Sequence, residues 1–306
     1  MDLGGALRLT KHHGAGNDFL VLLDPDDRRP LSAAEVRALC DRHRGIGADG
    51  VLRAIGGTGP AALAMDLRNA DGGVAEMSGN GIRCLVQAAV EAGLVPAGTV
   101  VIWTLGGVRS VEYRAEPTPG LGYAKVGMGP ATLGPDLGGD APAGVLWGQH
   151  VDMGNPHVVL YGGPAGDDMV RIVGPRLDGS VAGGANVEFV WAGPDSGELT
   201  LRVWERGVGE TLACGTGACA AAFAAHIRGV VGTRVRVHNP GGALDVEIGD
   251  AEITLAGPTQ RVGDITVDGA VLAHLVRARQ GHRTDEPEPV EAGARGGLPT
   301  EVATRQ

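Results

Sequence analysis

Apolar positions fall in short runs separated by glycine-rich turns, the pattern of a chain built mainly from strands with few helices. Residues 7–13 and 18–23 read as strands flanking the loop HGAGN. Residues 32–43, SAAEVRALCDRH, carry a helical apolar stripe with Ser32 as N-cap and Glu35 three positions on, a capping box. RGIGADGVL is a turn into a strand, and residues 62–69 form a strand ending at Asn69. After the turn Asp71-Gly72-Gly73, a glycine-opened helix spans 79–93, and strands follow at 99–114 and 121–128. Residues 129–145, rich in Gly, Pro and Asp, are the expected linker. Beyond it, strands are expected near 147–153, 157–161, 186–191 and 198–205, a helix at 215–229, and strands near 234–237, 243–248, 251–256 and 265–267. An apolar run in 257–275 is placed to pack back on the first half.

The second half repeats the first. Ser78-Gly79-Asn80-Gly81 opens one helix, and Cys214-Gly215-Thr216-Gly217 opens another 136 residues later. Gly16-Asn17-Asp18-Phe19 returns as Gly154-Asn155-Pro156-His157 at a spacing of 138, and Asp49-Gly50-Val51 lies close to the counterpart of Asn186-Val187-Glu188. A repeat this long means two similar domains rather than a solenoid. The expected division is 1–135, 145–275 and a polar, Pro/Gly-rich tail at 280–306 read as disordered.

Composition narrows the classes. The 306 residues are 43% hydrophobic and 20% charged, ordinary globular usage. No apolar run reaches membrane-span length and the N-terminus has no signal core, so a cytoplasmic protein is expected. A net charge of −10 disfavours a nucleic-acid surface. Four cysteines without CxxC spacing fit neither a disulfide framework nor a zinc site, and no metal is expected. Cys40 is read as core, and His12, His13, Asp71, Glu76 and Cys219 as structural or solvated.

The candidate chemistry sits at the two helix starts. Each would carry a nucleophilic side chain, Ser78 or Cys214, beside glycines that let the backbone approach a ligand. Free N–H groups and the helix dipole favour an anion there and are expected to lower the Cys214 thiol toward a thiolate. Two such ends facing each other about a pseudo-two-fold axis would hold an amino-acid carboxylate, with an acid or base on either face of Cα. Neither a pyridoxal-lysine context nor a nucleotide fingerprint is present, so no cofactor is expected.

The motifs KHHGAGNDFLVL, DRHRGIGADGVL, NADG–GNG, GNPHVV, GANVEFV and WERGVGETLACGTGACAA, spanning residues 11 to 222, resemble those of the diaminopimelate epimerase family. The resemblance implies an α/β (α+β) fold of two pseudo-symmetric domains, each a mostly antiparallel sheet wrapped around a central helix, and a homodimer. It implies pyridoxal-independent interconversion of LL- and meso-diaminopimelate. Cys214 would be one catalytic base, with Glu205 and His157 positioning substrate and supporting the bases. Gly79-Asn80 and Gly215-Thr216 would hold the reacting carboxylate. Asn17, Asn69, Asn155, Asn186 and Arg206 would bind the rest of the substrate. Read alone, Glu205-Arg206 could be a surface ion pair and the asparagines turn or cap residues.

The departure is Ser78, which stands where the family has its first catalytic cysteine. A hydroxyl is a far weaker acid than a thiol, so Ser78 is expected as a proton donor rather than the abstracting base. Related enzymes of this fold accept serine opposite cysteine. The alternatives are an epimerase, racemase or dehydratase acting on another amino acid, and a non-catalytic amino-acid-binding homologue.

Overall fold

The computed structural model describes residues 5–280. The first half runs β1 (Leu7–Gly14), β2 (Asn17–Leu23), α1 (Ala33–Cys40), β3 (Gly50–Gly56), β4 (Leu63–Asn69), β5 (Val74–Ala75), α2 (Gly79–Glu91), β6 (Gly98–Thr104), β7 (Gly107–Ala115) and β8 (Leu121–Gly129). A short β9 (Thr132–Asp136) follows. The second half repeats the order: β10 (Val145–Asp152), β11 (Pro156–Gly162), α3 (Asp167–Asp178), β12 (Asn186–Ala192), β13 (Leu199–Glu205), β14 (Gly209–Thr211), α4 (Gly215–Ile227), β15 (Arg234–Asn239), β16 (Gly242–Ile248) and β17 (Ile253–Val267). Helix α5 (Gly269–Gln280) ends the described chain. The tail expected at 280–306 lies outside the described residues from Gly281 on.

Strand pairing repeats with the sequence. β2 and β3 are parallel with Phe19 opposite Gly50, and β11 and β12 are parallel with His157 opposite Asn186. β3–β4 and β12–β13 are antiparallel, with Gly50 opposite Asn69 and Val187 opposite Trp204. Asn69 and Glu205 therefore occupy matched positions. So do Leu52 and Glu188, and Phe19 and His157. In each half the sheet wraps a central helix. Most of α2 and of the alanine-rich α4 is buried, since a helix enclosed by strands must be apolar or satisfied nearly all round.

The halves are sewn together by their last strands. β8 and β17 pair antiparallel across the pseudo-two-fold, Leu255 opposite Val126. β9 then crosses to pair with β10, and the far end of β17 crosses to pair with β1. The segment expected to be a linker thus contains a strand, because tertiary pairing satisfies its backbone where local composition signals turns. The strands expected at 251–256 and 265–267 are one continuous strand for the same reason. Two helices went unread. Helix α3 contains Gly174-Pro175, a breaker signal, yet Gly174 is where the helix presses on Trp204: an added Cβ would lie 2.7 Å from that side chain. Helix α5 lies against α1, its Leu272 buried with Val36 and Leu39, so this apolar run does fold back on the first half.

Candidate active site

Ser78 and Cys214 are the N-cap residues of α2 and α4, each in extended backbone. Ser78 Oγ accepts the Gly81 N–H at 3.0 Å, and Cys214 Sγ accepts the Gly217 N–H at 3.4 Å. Thr216 Oγ1 lies 3.4 Å from the same sulfur. Glycine at the next position lets the two helix starts meet. A Cβ on Gly215 would fall 3.2 Å from Gly79 Cα and 2.9 Å from Leu255 Cδ2, and one on Gly79 would fall 2.7 Å from that same methyl. Side chains at these two positions would push the helix ends apart.

The ends open into one cleft between the halves, enclosing roughly 800 Å³ including its solvent-open mouth. Ser78, Gly79, Asn80, Cys214, Gly215 and Thr216 line its floor. Asn17, Asn69, Asn155, Asn186, Glu205 and Arg206 line its walls. Thus every residue read as part of the site reaches this cleft except His157, whose ring is fully buried one layer behind. His157 Nδ1 is 2.7 Å from Glu188 Oε1 and its Nε2 is 3.1 Å from Asn155 Oδ1, so it acts on the cleft only through its neighbours.

The wall amides are held in fixed orientation. Asp49 can only accept, and takes Asn17 Nδ2 at 2.7 Å. Arg83 can only donate, and gives Nη2–H to Asn80 Oδ1 at 2.8 Å. Asn80 Nδ2 then faces Asn17 Oδ1 at 3.3 Å and the Ala213 carbonyl at 3.2 Å, tying the α2 start to the residue before Cys214. In the second half Asn186 Oδ1 accepts the Arg206 backbone N–H at 2.9 Å, which orients Arg206 at the cleft wall.

Electrostatics overturn one expectation. The helix N-terminus does not make Cys214 a resting thiolate. Burial, then the carboxylates of Glu205 and Glu188, push the thiol well above its ordinary range, outweighing the Thr216 and Gly217 hydrogen bonds that favour the anion. Glu205 is itself pushed up, by burial first and then by Asp49 and Glu188, against hydrogen bonds from Thr211 and Cys214. The sulfur therefore rests protonated beside a carboxylate whose proton affinity is raised. The hydroxyl face has no counterpart of Glu205, since Asn69 stands at the matched position, although Glu76 lines the cleft two residues before Ser78.

Several contributors escaped the sequence reading. Arg83 is fully buried, and among the described residues no carboxylate pairs with it. It donates to the Gly79 carbonyl at 2.9 Å, and burial holds its guanidinium down at about 10. That leaves a cation beneath the α2 start. Asp49 and Thr211 also line the cleft, as does Glu76, which is exposed to solvent at its mouth as expected of a solvated residue. The position of Arg83 one helical turn beyond Asn80 was the available signal for it. Asp49 and Thr211 carried none beyond their motifs.

Solved structures with 14–17% sequence identity share this fold. A hydroxyproline epimerase from Agrobacterium vitis, solved with bound trans-4-hydroxy-L-proline, superposes with a TM-score of 0.67 over 86% of this chain and 92% of its own. A phenazine biosynthesis protein of the PhzF family from Bacillus anthracis superposes with a TM-score of 0.65 over 86% and 99%. The fold is therefore the pseudo-symmetric one that these proteins share. More specifically, residues 9–134 and 150–262 match the diaminopimelate epimerase family, and the chain belongs to that family. The diaminopimelate epimerase of Synechocystis sp. is 39% identical over 277 residues, 84% of this chain and 97% of that protein. That of Thermobifida fusca is 41% identical over 273 residues, 84% and 97%. Among the described residues no helix is long and apolar enough to cross a membrane.

Proposed function

We propose that the protein interconverts LL- and meso-diaminopimelate by proton transfer at Cα, with Cys214 and Ser78 on opposite faces. The observation that carries this reading is the single cleft shared by both N-cap side chains, both glycine helix starts and the Asn/Arg wall. The reacting carboxylate lies across the starts of α2 and α4, where free N–H groups stabilise the charge that develops as Cα loses its proton. Asn17, Asn69, Asn155, Asn186 and Arg206 hold the distal amino-acid group, Arg206 being suited to its carboxylate.

In one direction Cys214 yields its proton to Glu205, and the thiolate takes the Cα proton. The C–H electrons spread onto the carboxylate, and Ser78 O–H delivers a proton to the other face. Because Ser78 Oγ accepts from Gly81, its own hydrogen is free to point into the cleft. The alkoxide left behind sits on the α2 N–H groups and regains its proton from water, and the hydroxide so formed takes the proton held by Glu205. No cofactor takes part in this reading. By the family resemblance the protein works as a homodimer, which light scattering on the purified protein tests.

Incubation with LL-diaminopimelate in heavy water should place deuterium at Cα and yield an LL/meso mixture. Absence of exchange with either isomer would sink the proposal. Ser78 favours one second reading, an epimerase of another amino acid on the same fold. Exchange with a panel of amino acids distinguishes the two, and activity confined to diaminopimelate removes the second. Calorimetric binding without turnover would instead mark a non-catalytic amino-acid-binding protein.

A further inference from the structure

Two buried titratable groups, Glu188 and His157, lie behind the cleft without touching it. Both are fully buried. Glu188 Oε1 meets His157 Nδ1 at 2.7 Å, while Glu188 Oε2 has no hydrogen-bond partner. A half-satisfied buried carboxylate is costly and calls for a reason. The oxygen that meets His157, not the unpaired one, is the one nearest the catalytic sulfur. A Cβ on Gly217 would lie 2.7 Å from Glu188 Oε1 and 3.3 Å from Cys214 Sγ, so the oxygen and the sulfur flank the same glycine and lie within about 6 Å of each other.

The first half shows the same cage without the charge. A Cβ on Gly81 would lie 3.1 Å from Leu52 Cδ2 and 3.2 Å from Ser78 Oγ. Leu52 stands where Glu188 stands, Phe19 where His157 stands and Asn69 where Glu205 stands. At these three matched positions the second half carries titratable side chains and the first half does not, while Asp49 and Glu76 line the cleft from other positions. Packing alone does not require this difference, because leucine fills the equivalent space.

We propose that Glu188, held by His157, is a positioning residue that sets the protonation of Cys214, keeping it a thiol until substrate arrives and making the two faces of the cleft chemically unequal. The Glu188 oxygen that meets His157 Nδ1 is the same one that flanks Gly217 beside the sulfur. The groups around Cys214 are then Glu188 on β12 with His157 behind it on β11, Glu205 on β13 and Thr216 on α4, with Asp49, Glu76 and Arg206 lining the same cleft. Burial and the two carboxylates act on the thiol in the same direction.

The proposal rests on Cys214 as the reactive group but not on the identity of the substrate. Its test therefore needs no turnover. Iodoacetamide alkylation of Cys214 is followed against pH by mass spectrometry with fragment-ion sequencing, which separates it from Cys40, Cys84 and Cys219. In the wild type the midpoint should lie above the roughly 8.5 of a free thiol. In Glu188→Gln, which keeps a partner for His157 but removes the charge, and in Glu188→Leu, which copies the first half, it should fall by one pH unit or more. That is a tenfold gain in thiolate at pH 8. A merely structural role would change the rate at every pH and leave the midpoint in place. Superimposable midpoints overturn the proposal, and so does a wild-type midpoint at or below neutrality, a result that depends on no variant folding.

Discussion

Replacing Ser78 separates its two roles, capping α2 and giving a proton. Ser78→Ala leaves the Gly81 N–H, now met at 3.0 Å, without its acceptor. Loss of such a cap costs about 1 kcal/mol, a fall of roughly 2–4 °C in melting temperature for a chain of this size. Loss of a positioned proton donor costs about 10²–10⁴ in rate, so activity should fall far more than stability. Ser78→Cys should do the opposite. The second half demonstrates that sulfur fits this cage: Cys214 Sγ sits 3.3 Å from the Gly217 Cβ point, and Ser78 Oγ sits 3.2 Å from the equivalent point at Gly81. The backbones agree as well, φ −140° and ψ 118° at Ser78 against −121° and 119° at Cys214. A thiol is a stronger acid than a water-like hydroxyl by about 7 pKa units, so donation should be faster by at least about tenfold. Deuterium incorporation at Cα, measured by mass spectrometry alongside thermal melting, reads both effects. A Ser78→Ala variant that exchanges at the wild-type rate would refute Ser78 as the donor. A Ser78→Cys variant no faster than wild type would show that the hydroxyl face does not limit the reaction.

Glu205→Gln should lose about 10²-fold or more in exchange rate while gaining stability near neutral pH. Its carboxyl is raised above the unfolded value, so Glu205 favours the fold only while protonated, and that contribution is lost as pH climbs through the raised value. The stability gap between variant and wild type, from urea midpoints at pH 5 and pH 8, should widen with pH; a constant gap would contradict this. Gly215→Ala places a methyl 2.9 Å from Leu255 Cδ2 and 3.2 Å from Gly79 Cα. It should cost about 1–3 kcal/mol and disturb both helix starts at once, which melting and exchange together would report. Arg83→Met removes the donor to Asn80 Oδ1 and the second donor to the Gly79 carbonyl, and should cost about 1–3 kcal/mol for the amide oxygen left buried and unmet. A variant as stable as wild type would show that water replaces the guanidinium.

By itself the sequence determined the duplication, the two glycine-opened helices and nearly all of the cleft-lining polar residues. Each of these is written in local chemistry: small residues where backbones must approach, an N-cap before each helix, asparagines at strand ends. It also held the capping box that starts α1, which the structure shows intact. Only the tertiary structure decided the rest. Whether Cys214 is thiol or thiolate depends on burial and on carboxylates 9 and 26 residues away in sequence. The exchange of β9 and the end of β17 between halves, and the survival of α3 through Gly174-Pro175, depend on partners supplied from elsewhere in the chain. Local propensity records what a segment does alone in water. Charge states and edge-strand pairing are set by what surrounds it once water has been removed.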